Sequence, residues 1–214
     1  MFEIKYRLVL DMNEINSMSL EEFDKEYNDL EGIIELNFNG SKIGETFEGE
    51  ITEEMYEAGC FQGEWVTFWF TNLIKVVNLL VNNNYVIFSE IEAPLWIELT
   101  KSNNLIKVRE LREVYHKIEG MEDIDCVSGP LMDTKPIKEE VVFKSGEIIF
   151  RDVKMEETSF KENFITVTEF QQEVKNKSKM LLNEIKEKFP DKIKSKLVKG
   201  LEESVNSIKE RCND

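Results

Sequence analysis

The chain has 214 residues, a net charge of −16 and 41% apolar content. That is enough chain for one sizeable domain with its own core, and too apolar for a disordered one. Such a charge repels nucleic acid and anionic lipid and attracts basic partners.

The charge is lopsided. Residues 1–100 hold 20 acids and 5 bases, whereas residues 101–214 hold 23 acids and 22 bases. Cys60, Cys126 and Cys212 form no close pair, and His116 is the single histidine. A disulfide framework and a zinc site therefore both lack support. The start, MFEIKYRLVLDM, carries acids and alternates, with no basic stretch followed by an apolar run. No secretory signal is expected, and the chain reads as cytoplasmic with reduced thiols.

Residues 2–11 alternate, with Phe2, Ile4, Tyr6, Leu8 and Leu10 on one side, which predicts a half-buried strand. Leu20, Phe23, Tyr27 and Leu30 fit a short helix, capped by Ser19 with Glu22 completing a capping box. Ile33–Phe38, Asn39-Gly40 and Ser41–Phe47 form the clearest hairpin, because Asn-Gly supplies the two positive φ angles of a type I′ turn.

From Ile43 to Glu64 come seven glutamates and no base: Glu45, Glu48, Glu50, Glu53, Glu54, Glu57 and Glu64. Phe61 lies in the same stretch. An aromatic beside a carboxylate-rich surface is the composition of a protein-binding hot spot, so these eight residues are the candidate partner-binding set.

Trp65–Val81 is the predicted central helix. Its polar residues Thr67, Thr71, Lys75 and Asn78 fall on one line that Asn82 extends, and only Asn72 lies off it. One thin polar seam means burial on most sides. The stretch is too short to span a bilayer and carries Lys75 near its middle. Tyr85–Ser89 reads as a strand. Leu95–Thr100 and Leu105–Leu111, joined by Ser102-Asn103-Asn104, read as a second hairpin.

Residues 114–138 read as a long loop. Glu140–Phe143 and Glu147–Val153 flank a Lys144-Ser145-Gly146 turn as a third hairpin. Ile165–Thr168 is a short strand or a helix start. Phe170–Lys188 and Pro190–Cys212 are helical by period, the second with Ile193, Leu197, Leu201, Val205, Ile208 and Cys212 in one apolar stripe. Lys192, Lys196 and Lys199 share a face of that helix, read as solvated rather than as a nucleic-acid patch.

The expected fold is α+β: a mostly antiparallel twisted sheet, a central buried helix and two C-terminal helices. A single domain over 1–214 is expected. The 114–138 loop offers a division into a 1–113 core and a 139–214 hairpin plus helical pair. No phosphate-binding loop, calcium loop or nucleophile–base signature occurs, so neither cofactor nor metal is expected.

The order of parts, with the Tyr85–Leu99 stretch YVIFSEIEAPLWIEL, resembles small bacterial proteins found beside polymorphic toxins and taken to be their immunity proteins. The resemblance covers residues 1–112 and leaves out the C-terminal helices. It implies a cytoplasmic protein that binds and blocks a toxin domain without catalysis, and it transfers no site residues. An alternative reading is an enzyme or small-ligand binder with Glu90, Glu92, Arg109 or His116 in a pocket beside the central helix. A third is an oligomerisation module built on the C-terminal helices.

Overall fold

A computed structural model describes residues 1–46, 49, 55, 63–89, 95–112 and 156–208, with the backbone alone at 113–114, 130–131, 142–144, 147–149 and 154–155. The architecture is α+β, and the strand pairs recorded are antiparallel.

The first sheet is built on β2 (Glu31–Phe38). Strand β1 (Phe2–Leu8) lies along one edge, in a register that sets Phe2 opposite Phe38 and Leu8 opposite Gly32. On the other edge lie β3 (Ser41–Gly44) and the two-residue β4 (Glu64–Trp65). The β2–β3 turn forms as its Asn-Gly sequence requires, with φ of 53° at Asn39 and 94° at Gly40.

Two short helices lead from β1 to β2. Helix α1 (Met12–Ser17) starts at Asp11, whose carboxylate accepts from the Asn13 and Glu14 amides at 2.9 Å. Helix α2 (Leu20–Glu26) starts at Ser19 with the expected capping box, Glu22 accepting from the Ser19 amide at 2.7 Å. Ile15 and Phe23 are their buried anchors.

Helix α3 (Val66–Asn82) is the central helix. Thr71, Lys75, Asn78 and Asn82 keep to its outer line, but two residues depart from the expected pattern. Thr67 is buried at 4% exposure, and its amide donates to the Asp29 carboxylate at 3.0 Å. Trp65 is 46% exposed and stands before the helix in β4.

The second sheet runs β5 (Tyr85–Ser89), β6 (Leu95–Ser102), β7 (Leu105–Val114). The pair β8 (Pro130–Leu131) borders β5. β9 (Val142–Lys144) and β10 (Glu147–Ile149) form the separate third hairpin. Along the outer edge of β7 lie β11 (Lys154–Glu157) and β12 (Asn163–Thr166). The strands thus divide between sheets, and the two large sheets touch where Asn163 donates to the Ser41 hydroxyl at 2.7 Å and Asn39 to the Phe164 carbonyl at 2.8 Å.

Two C-terminal helices complete the core. Helix α4 (Val167–Lys188) begins at a Thr166–Glu169 capping box and buries Phe170, Val174, Leu181 and Ile185 against β1 and α3. Helix α5 is shorter than its period predicts, at Lys196–Asn206. Pro190–Lys192 forms a 3₁₀ turn, and the Ser195 hydroxyl then caps the true start by accepting from the Val198 amide at 3.2 Å. Ile193 consequently leaves the apolar stripe and is exposed, while Cys212 lies outside the described residues. Lys192 is not on a solvated face: it is 4% exposed and donates to the Met18 carbonyl. No helix among the described residues is long and apolar enough to cross a membrane.

Gly32 is closely packed between β1 and the start of α3. A Cβ there meets the Arg7 carbonyl and comes within 2.8 Å of Val66 Cγ2. Gly32→Ala is expected to cost roughly 1–3 kcal/mol by overpacking, measured by urea unfolding. Unchanged stability would show that β1, β2 and α3 separate freely.

Candidate functional site

The acidic window begins and ends on the same edge of one strand. Gly44 at its start pairs with Glu35, and Glu64 at its end pairs with Gly32, so both ends are pinned on β2 three residues apart. Glu45 is exposed just beyond β3. Glu64 is half-buried, and its carboxylate accepts the Trp69 indole N–H at 2.8 Å. Glu48, Glu50, Glu53, Glu54, Glu57 and Phe61 lie outside the described residues. Between them, the Gly49 carbonyl accepts from the Arg7 guanidinium.

A second group of acids was not singled out in the sequence. Asp11, Glu14, Glu21, Glu22, Glu26 and Glu31 are all exposed on α1, α2 and the start of β2. Lys25, the base among residues 11–31, is 3.4 Å from Glu26. The Tyr27 hydroxyl donates to Glu14 at 3.4 Å, and burial, then Glu14, Asp11 and Glu31, raise the phenol above its usual range. The missed signal is modest: eight acids in residues 11–31, spaced by the apolar anchors of two short capped helices.

Asp29 is the inward member of this group. It accepts from the Thr67 amide at 3.0 Å and from the Leu30 amide at 2.8 Å. Trp65 gives α3 no side-chain cap, so Asp29 supplies one from 38 residues away. Burial raises its carboxyl above the ordinary aspartate range, outweighing hydrogen bonds from Thr67, Leu30 and Phe68 that lower it.

The alternative site fares differently. Glu90, Glu92 and His116 lie outside the described residues. Arg109 is described, and carboxylates take its donors. Nε and Nη2 reach Glu98 Oε2 at 2.6 and 2.5 Å, and Nη1 reaches Glu157 at 2.9 Å. Glu98 is 1% exposed, and its other oxygen accepts from the Tyr85 hydroxyl at 3.1 Å. Burial lowers the Arg109 pKa, but Glu98 and then Glu157 more than reverse this. The arrangement is an ion pair tying β6 and β7 to β11. Among the described residues no three His, Cys, Asp or Glu side chains are grouped to hold a metal. Comparisons with family profiles, curated proteins and solved structures return no match for this chain.

Two outcomes test this geometry. Arg109→Ala leaves Glu98 buried and half-paired, with an expected loss of roughly 3–5 kcal/mol in urea unfolding. A loss under about 1 kcal/mol, the worth of a surface pair, would contradict the burial. For Asp29 the sign follows from its raised folded-state pKa: its stabilising contribution is complete below the unfolded value and fades as pH rises through the folded one. Asp29→Asn keeps an acceptor and removes the titration. Stability relative to the wild type should therefore rise with pH across the acidic range just above the usual aspartate value. A pH-independent difference between the two proteins would remove the assignment.

Proposed function

We propose that this chain is a non-enzymatic protein-binding protein whose acidic face receives a basic protein, in the manner of an immunity protein on a toxin domain. The supporting observation is how the first hundred residues deploy their charge. Of their five bases, Lys42 lies 2.8 Å from the buried Glu35, Arg7 serves the Gly49 carbonyl and Lys25 lies beside Glu26. Asp11, Glu14, Glu21, Glu22, Glu26 and Glu31 meanwhile stand in solvent on short, well-capped elements, and Glu45 stands at the mouth of the acidic window.

A predominantly acidic surface raises the encounter rate with an oppositely charged protein and disfavours nucleic acid as partner. A toxin domain acting on nucleic acid carries a basic substrate surface, and an acidic inhibitor fits the place of the phosphate backbone.

Affinity capture from the native cell followed by mass spectrometry identifies the partner, and titration calorimetry measures its affinity. That affinity should fall as salt rises. Reversing Glu14, Glu21 and Glu26 together to lysine should weaken it at least about tenfold at low salt, mainly through slower association. Reversing Glu48, Glu50, Glu53 and Glu54 tests the acidic window separately. If both sets leave the affinity unchanged at low salt, the acidic-face reading fails.

A further inference from the structure

Trp65 is unlike the other two tryptophans. Trp69 and Trp96 are 3% and 2% exposed, whereas Trp65 is 46% exposed. Its position is nonetheless fixed. Trp65 pairs with Glu31 across β4 and β2, and the next amide, Val66, donates to the Leu30 carbonyl at 2.9 Å. Val66 is fully buried and begins the central helix. The indole is thus held out from a rigid base, and little backbone freedom is lost when something covers it.

What surrounds the indole sets the kind of group that fits. Directly paired residues of antiparallel strands point to the same side, so the Glu31 side chain stands beside Trp65. Further along the same acidic segment the Tyr27 hydroxyl donates to Glu14 at 3.4 Å, and Asp11 accepts from the Glu14 amide at 2.9 Å. Carboxylates alone make a solvated face. An anchored, half-exposed indole next to them adds an electron-rich π surface that attracts a cation and whose large apolar area favours being covered. Arginine suits the pair best, because its planar guanidinium stacks on the ring while donating to a carboxylate.

We propose that Trp65, with Glu31 beside it, is the anchor point for an arginine-bearing segment of a basic protein partner. This rests on the acidic-face reading above and narrows it to one aromatic contact.

Hexa-arginine is the probe, with hexa-citrulline as its uncharged counterpart. Because the other tryptophans are buried, acrylamide quenching of the wild-type protein reports mainly on Trp65. Hexa-arginine should protect that fluorescence at low salt, and hexa-citrulline should not. Trp65→Leu, which keeps bulk and loses the π face, should weaken hexa-arginine binding about tenfold, with Trp65→Phe in between. Circular dichroism confirms that both variants fold, and the quenching experiment needs no variant.

The proposal is overturned if bound hexa-arginine leaves Trp65 as open to acrylamide as before, or if Trp65→Leu binds it as tightly as the wild type. Should salt-sensitive binding persist in that case, the acidic face stands and only the anchor falls. Should hexa-arginine fail to bind the wild type at all, both fall.

Discussion

A helix buried on most of its circumference cannot turn its end groups to water, and the rest of this fold is arranged around that constraint. At the N-terminal end of Val66–Asn82, the Val66 amide donates to the Leu30 carbonyl and the Thr67 amide to Asp29. At the C-terminal end, the Asn83 side chain donates to the Leu79 carbonyl at 2.8 Å, and the buried Lys101 ammonium donates to the carbonyls of Leu80 and Val81. Leu30 leads into β2, and Lys101 lies near the end of β6. Each large sheet is therefore located by one end of the same helix. The ammonium is tolerable there because the helix terminus offers partial negative charge.

The same economy governs the ionised groups inside. Glu98 and Arg109 are directly paired across β6 and β7. Since strand residues alternate between faces, a slip of one residue between the strands would turn one of the two charges toward the face of Ile97, Leu99 and Val108, which pack in the apolar core. The pair thus fixes register as much as it adds stability. Lys42 on Glu35 ties β3 to β2 in a similar way, although one Glu35 oxygen stays without a hydrogen bond. Asn72 in α3 is a comparable case: it is 2% exposed, and its Oδ1 also lacks a partner. Both depart from the rule that buried polar atoms are satisfied.

Much of the fold was legible because its signals are local. Asn39-Gly40 dictates its turn, Ser19 and Glu22 dictate a helix start, and Asn103, with φ of 54°, marks the second hairpin. Periodicity located the central helix to within one residue at each end. What was not legible depends on partners far along the chain. Nothing near Asp29 announces that it caps a helix starting at Val66, and nothing near Lys192 announces the Met18 carbonyl. Ser195 ends the second C-terminal pattern as a helix start because a hydroxyl at that position outcompetes the apolar period, which runs on unchanged through it. For the candidate surface, the sequence marked the acidic window but passed over α1 and α2. Trp65, half-exposed just before its helix, was hidden in an apolar run, while Phe61, the aromatic chosen from the sequence, lies outside the described residues.

The long helix Val167–Lys188 has a consequence for the order in which the protein can be made. Phe2 packs on Phe170 with ring centroids 5.1 Å apart, and the Ile4 amide donates to Glu173 at 2.9 Å. Phe2 and Ile4 are made long before residues near 170, and they wait for those residues before their apolar side and strand edge are covered. Until then the growing chain presents β1 as an open edge of the kind that pairs with other chains. Contacts spanning that much sequence form slowly. The net charge of −16, most of it carried by residues 1–100, holds nascent copies apart during that interval.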